Sequence, residues 1–360
     1  MLYYASGRKL AWIKLKKHKL ARLAISVLAV LYFLAIFADI IAPYGKTTRF
    51  EGHSSVPPSR IRLRERDGAF RTPYFYPVVR TRDPKTRRAV YTPDFSREIP
   101  IKLFVIRDDH TFLGVFRLRL RLFGSADPEV PFYLTGSDEM SRDIFSRTLY
   151  GSRISLFIGF GGVFIVFILG CFMGGISGYF GGVVDGIVQR TIDFLRSIPT
   201  LPLWMVFSAA VPRDWSVERT YLAITLILGI VGWTGLARVV RGKLLSLREE
   251  DFVIAARLSG VGDLAIIRTH LLPNFTSHLV VSMTLQIPAM ILGETALSFL
   301  GIGMLPPAVS WGVLLADARK FEHIAHHAWY LIPAIPVIIT VLMYNFLGDG
   351  FRDAADPYSK

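Results

Sequence analysis

Six stretches of almost unbroken apolar sequence, residues 23–41, 154–177, 192–211, 221–237, 275–297 and 329–347, constrain this chain more than any other feature. About 20 helical residues at 1.5 Å each cross the ~30 Å hydrocarbon core of a bilayer, and only helices or closed barrels satisfy their backbones there. The runs are too long for strands, so the expected fold is an all-α integral membrane protein of six transmembrane helices. The third run is interrupted by Asp193 and Arg196, and the fourth is 17 residues long. A 52% hydrophobic composition excludes an ordinary soluble domain.

Orientation follows from basic residues beside the spans. Arg8, Lys9, Lys14, Lys16, Lys17, Lys19 and Arg22 precede the first run without an acid, which predicts a cytoplasmic N-terminus over residues 1–22 and a first helix over 23–42. The n-region is too long for a cleaved signal peptide, so the run reads as an uncleaved anchor. Six crossings return a cytoplasmic C-terminal tail, 349–360. The loop at 238–275, with Arg238, Arg241, Lys243, Arg248, Arg257 and Arg268, then also lies inside.

Residues 43–135 then form an extracytoplasmic insertion. Half of the 42 basic residues fall within 43–153 against 13 acids, which long loops tolerate because they translocate regardless of charge. Alternation at 116–122, Phe-Arg-Leu-Arg-Leu-Arg-Leu, predicts a strand, and residues 50–132 read as a small β-rich module whose arginines form a solvated face, with an acidic partner as the alternative. The net charge of +14 is divided between the two sides of the membrane, which argues for lipid contact at the N-terminus and against nucleic acid. The lone Cys171 lies in the second run, so the insertion has no disulfide.

Between two apolar runs lies a polar, helix-forming island, 246–275. Ser246 and Glu249 have capping-box spacing, Gly260 suits a left-handed C-cap, Asp263 could cap a second helix, and Pro273 could end it. Phe252, Ala255, Ala256 and Ser259 share one helical face, a small-residue surface suited to a partner protein. Ala255-Ala256-x3-Gly260-x9-His270-Leu271-Leu272-Pro273 resembles the cytoplasmic EAA loop of ATP-binding-cassette importer permeases, in the form of the dipeptide/oligopeptide branch. Ile254 stands where that family carries its namesake glutamate.

Three more stretches carry the resemblance. Residues 136–156 resemble a second signature of that branch, with Ser137 and Ser141 as mismatches, and 294–312 and 347–357 are similar to two further recurrent segments. In the second signature Met140, Ile144, Phe145, Thr148 and Leu149 predict an interfacial helix over 136–153 that includes Asp138 and is held by weak exposed pairs among Arg142, Asp143 and Arg147. The resemblance covers 136–357 and leaves out the insertion. It implies a five-helix permease core over 154–348 in the inner membrane of a prokaryote. It also implies a homologous second permease, two ATPase subunits docked on the 246–275 loop, and an extracytoplasmic substrate-binding protein.

Within the runs, Gly170, Gly174 and Gly178 repeat every fourth residue, as helix-packing stripes do. Glu294 and Gln286 lie on nearly one face of the fifth run, suiting either a pathway or a structural hydrogen bond. His323, His326 and His327 beside Glu322 read as an amphipathic face, so no metal and no cofactor are expected. Gly242-Lys243 lacks the other P-loop residues, and ATP would be hydrolysed by another chain. Asn274-Phe275-Thr276 matches a glycosylation triplet, but on the internal side. The function expected is a non-catalytic permease subunit of a peptide importer. Nickel or oligosaccharide cargo, an ATP-independent transporter or channel, and a membrane anchor for an external domain are the alternatives.

Overall fold

The computed structural model describes residues 13–64, 70–82, 84 and 89–355. They fall into two compact units, one built from Met1–Ala29, Leu156–Met304 and Ile338–Lys360, the other from Val30–Ser155 and Leu305–Val337. In chain order the helices are α1 (Lys19–Ile36), α2 (Ala38–Ile41), α3 (Ile144–Phe180), α4 (Gly182–Ser197), α5 (Thr200–Ala209) and α6 (Val217–Leu247). There follow α7 (Asp251–Leu258), α8 (Asp263–Ala265), a π-helical turn (Ile266–Leu271), α9 (Leu272–Asn274), α10 (Thr276–Leu300), α11 (Trp311–Asp317), α12 (Phe321–His326) and α13 (Ala334–Ala355).

Among the described residues five helical segments are long and apolar enough to cross a membrane: Lys19–Ile36, Ile144–Phe180, Val217–Leu247, Thr276–Phe299 and Ala328–Ala354. The third expected run is not one helix. Pro199 has no N–H to donate and forces the preceding residue out of the helical region, so Ile198 is extended (φ −91°, ψ 129°) and the run breaks into α4 and the ten-residue α5.

In the first unit a glycine seam joins α3 to α6. A Cβ added at Gly170 would meet Leu236 Cβ at 2.8 Å, one at Gly174 would run into the Ala237 carbonyl oxygen, and one at Gly178 would meet the Arg241 carbonyl oxygen at 2.8 Å. These pairs advance together along both helices, which therefore run parallel. Gly162 lies against Met290 and Gly159 against Ile287 and Ile291, and the pairing of Gly232 with Gln286 and of Leu228 with Gly293 sets α10 antiparallel to α6 and hence to α3. α4 returns along α6: Asp185 accepts from Arg241 Nε and Nη2, each at 2.5 Å, Asp193 pairs with Arg238, and Val188 and Ile192 pack on Trp233 and Ala237. Trp204 of α5 then lies against Gly293. At one end of this unit His18 Nδ1 accepts from Ala21 N at 3.1 Å while its Nε2 lies 3.3 Å from Asp353 Oδ2, so the start of α1 meets the end of α13.

Among the described residues the second unit holds six strands: β1 (Arg62–Arg64), β2 (Phe70–Phe75), β3 (Val78–Arg82), β4 (Ala89–Pro93), β5 (Ile99–Phe112) and β6 (Phe116–Ser125). An antiparallel sheet runs β1-β2-β5-β6, and β3-β4 form a separate hairpin. Phe75, Ile99 and Phe132 make a small core. The 116–122 alternation is a strand, but Arg121 is not on a solvated face: it is buried, and its Nη1 donates to Asp39 O (2.8 Å), Ala42 O (3.2 Å) and Tyr150 Oη (3.1 Å).

The interfacial helix expected over 136–153 does not form. Residues 136–143 make a β-bridge between Ser137 and Asp143, with Ser141 in the left-handed region (φ 62°), and α3 runs unbroken from Ile144. Asp138 Oδ1 accepts from Met140 N (2.8 Å) and Arg142 N (2.9 Å), an Asx arrangement that competes with helix. Asp143 Oδ2, accepting from Ser146 N at 2.7 Å, N-caps α3.

Candidate functional site

The polar island forms a helical hairpin between α6 and α10. α7 is stopped by Gly260 (φ +78°), as its sequence predicts, in a Schellman closure in which Val261 N donates to Ala256 O (3.1 Å) and Gly260 N to Arg257 O (2.9 Å). The starting signals differ. Ser246 does not open a capping box, because helix-forming residues carry α6 through it and its hydroxyl donates back to Lys243 O at 2.9 Å. α7 starts instead at Asp251. Asp263 does not cap α8 either; its Oδ1 accepts from Tyr179 Oη at 2.6 Å.

That bond belongs to a tie the sequence did not signal. Arg257 Nε donates to Tyr179 Oη at 3.0 Å, and its guanidinium stacks over the Tyr179 ring at 4.8 Å. One tyrosine at the end of α3 thus holds both limbs of the hairpin, and the hydrogen bond to Tyr179 holds the Arg257 guanidinium above its ordinary pKa. Pro273 falls near the end of the second limb. With no N–H for the Thr269 carbonyl, it forces the preceding turn into i→i−5 register, with Leu272 N donating to Ile267 O. Asn274 Nδ2 donates to His270 O at 2.8 Å and ends the turn.

Not all of the expected docking face is exposed. Phe252, Ala255, Ser259, Gly260 and Pro273 are exposed, and His270 and Leu272 are half-buried. Ala256 is buried with Val253, three residues before it on the inner face of α7. The outward surface also carries Ile254, Leu258 (85% exposed) and Leu264 (64% exposed), apolar residues the small-face pattern overlooked.

The second cluster is buried where weak surface pairs were expected. Asp138 Oδ2 accepts from Arg142 Nε (2.7 Å) and Arg147 Nη1 (2.5 Å), and both Asp138 and Arg147 have side chains only 2% exposed. Burial raises the Asp143 carboxyl to about 7, with the Asp138 charge adding to the rise. Alongside, Lys320 Nζ pairs with Glu139 at 2.6 Å and keeps its carboxyl below the usual range. His323 is buried: Nδ1 lies 2.6 Å from Asp317 O, Nε2 lies 2.8 Å from Glu139 Oε1, and the ring stacks on Tyr330 at 4.4 Å.

Glu294 is fully buried in α10 and accepts from Ser298 Oγ at 2.8 Å, while that hydroxyl accepts from Met304 N at 2.9 Å. Gln286 is half-buried beside Gly232.

The chain matches the family described as binding-protein-dependent transport system inner membrane component over residues 166–358, and the N-terminal TM domain of oligopeptide transport permease C over residues 6–58. It is similar to the dipeptide transport system permease protein DppC of Bacillus subtilis, 40% identical over 223 residues that cover 62% of this chain and 68% of that one. Similarity to the oligopeptide transport system permease protein OppC of Haemophilus influenzae is 39% over 227 residues, 63% and 70% of the two chains. With DppC of Lactococcus lactis subsp. cremoris it is 30% identical over 361 residues, 96% and 89% of the chains. An alignment of that reach runs through the insertion, so the likeness is not confined to 136–357 as the motifs suggest. The family match takes in more than half of the chain, including most of the glycine seam and the whole exposed hairpin, and the chain belongs to the binding-protein-dependent transport system inner membrane components, the permease subunits of ATP-binding-cassette importers.

Proposed function

We propose that this permease moves di- or oligopeptides and is driven by ATPase subunits that dock on the outward face of the α7–α9 hairpin. The exposure of the apolar side chains of Phe252, Ile254, Leu258 and Leu264 on an otherwise polar hairpin is the observation that carries this reading. The peptide cargo is supported by relatives named for dipeptides and oligopeptides. The chain itself is non-catalytic; it pairs with a homologous second permease and receives cargo from an extracytoplasmic binding protein. In this reading the core crosses six times with both termini cytoplasmic, α4 and α5 together making the broken crossing, and the hairpin faces the cytoplasm.

Closure of the ATPases on ATP pushes the hairpin. The Arg257–Tyr179–Asp263 tie transmits the push to the end of α3, and the close-packed α3–α6 seam moves as one body, since glycine contacts with backbone leave no slack. Asp138, Arg142, Asp143 and Arg147 brace the entry of α3, and Glu294 braces the end of α10.

Copurification tests the reading. Leu258→Asp and Gly260→Leu should each insert normally yet lose most of the ATPase subunit pulled down in mild detergent, and lose peptide uptake with it. A Cβ at Gly260 meets nothing within 4 Å, so the second change acts through backbone strain of about 1–2 kcal/mol on the hairpin rather than by a clash. Unchanged ATPase recovery and uptake in both variants would remove the hairpin from the coupling path.

A further inference from the structure

The loop that joins β5 to β6 lies at the level where the first span leaves the bilayer. From Lys19, about 20 residues at 1.5 Å each bring α1 and α2 across the hydrocarbon by Asp39. Arg153 marks the same level: its Nε donates to Ala35 O at 2.8 Å, and its Nη2 donates to Ile36 O at 2.8 Å and to Asp39 Oδ2 at 2.7 Å. The carbonyls that α1 leaves open are thereby satisfied.

The hairpin is tied to this spot. Leu113 N donates to Asp39 Oδ2 at 3.0 Å, and the Phe112 ring lies 5.7 Å from Phe37, which lies 4.5 Å from Phe33. Phe116 is the cross-strand partner of Phe112. An aromatic row therefore runs from the exposed flank of α1 onto the hairpin without a polar break. Its tip is apolar and uncovered: Leu113 is 51%, Val115 72% and Phe116 66% exposed.

Behind the tip is a cavity of about 760 Å³ whose lining includes Asp39, Lys46, His110, Arg117, Arg121 and Arg153. Four permanent cations there face one acid. Asp39 is occupied by Arg153, and Arg121 is held by carbonyls and Tyr150, whereas Lys46 and Arg117 are exposed at the rim. Apolar residues level with a span end and cations immediately behind them match the two layers of a leaflet, acyl chains and then phosphates.

We propose that the β5–β6 tip is a lipid anchor: Leu113, Val115 and Phe116 enter the leaflet reached by the C-terminal end of α1, and the cavity behind them takes the phosphate of an anionic phospholipid. The anchor fixes the β-rich insertion at the membrane surface. It depends on neither the cargo nor the ATPase, so it stands or falls separately from the transport reading.

The full chain in phosphatidylglycerol nanodiscs tests both halves. A spin label at Val115→Cys should favour collision with oxygen over a water-soluble nickel chelate at least fivefold more than a label at the exposed Ser96→Cys; equal ratios would overturn insertion of the tip. In native mass spectrometry the chain should retain phosphatidylglycerol over phosphatidylcholine, and the Lys46→Gln/Arg117→Gln variant should lose that preference at least fivefold. Equal retention of the two lipids, an unaltered preference in the variant, or displacement of phosphatidylglycerol by inorganic phosphate would each overturn the headgroup site.

Discussion

Asp138 shows how far a single position can depart from its sequence pattern. An aspartate four residues before an arginine resembles an exposed helical pair worth a few tenths of a kcal/mol, but here the chain is not helical and the acid is enclosed with Arg147. Removing one member of a buried pair strands the other, so Asp138→Asn should cost about 3–5 kcal/mol in detergent unfolding. Lys320→Gln, which breaks an exposed pair with Glu139, should cost roughly 0.2–1 kcal/mol. A smaller loss for Asp138→Asn than for Lys320→Gln would show that burial does not govern these pairs. Asp143 gives a pH dependence of definite sign. Burial holds its folded carboxyl at about 7 against an ordinary 3.8, so between those values the folded chain holds a proton that the unfolded chain has released. Stability from this group is therefore greatest below about pH 4 and is lost as pH rises to 7. Asp143→Asn keeps a capping side chain without the charge, and should flatten the fall in melting temperature between pH 4.5 and 7; an unaltered profile would assign that fall to other groups.

At the scale of helices and strands, what periodicity and punctuation dictate was legible, and what depends on neighbours was not. The apolar runs other than 192–211, the Gly260 stop and the alternating strand at 116–122 are local signals, and each has its structural counterpart. The interfacial helix failed because Asp138 offers the backbone a rival set of acceptors, and the register of the Pro273 turn is set by a missing donor whose consequence needs three dimensions. The Tyr179 tie was invisible because its partners lie 78 and 84 residues away. The glycine stripe at 170, 174 and 178 was read as packing, and the contact is with backbone, which cannot rotate aside. Gly174→Val should therefore cost at the upper end of ~1–3 kcal/mol and lower the yield of folded chain. Gly186→Ala, with nothing within 4 Å of the added Cβ, should leave thermal stability unchanged or raise it by up to about 1 kcal/mol through helix propensity. Equal losses at the two positions would mean that the seam is not close-packed.

For the whole molecule we infer the number of crossings from helix direction rather than from hydropathy. Two neighbouring spans that run parallel need a chain segment that recrosses between them, and α3 and α6 advance together from Gly170–Leu236 to Gly178–Leu244. The only helices between them are α4 and α5, too polar in one half and too short in the other to register as a span, yet Asp185 starts that path beside Arg241 and Trp204 continues it to the level of Leu228 and Gly293. The meeting of His18 with Asp353 fits an even number of crossings in the same proposal. Among the described residues five segments qualify by length and hydropathy, and the sixth crossing is proposed from these directions. Single cysteines in a Cys171→Ser background can decide this with a membrane-impermeant maleimide on intact cells. Asp214→Cys, between α5 and α6, should label from outside as readily as Ser96→Cys in the insertion, while Ser259→Cys in the hairpin should be protected until the membrane is opened. Were Asp214→Cys protected together with Ser259→Cys, the α4–α5 segment would not cross, α3 and α6 could not both span in the parallel sense, and the coupling path through their seam would have to be abandoned.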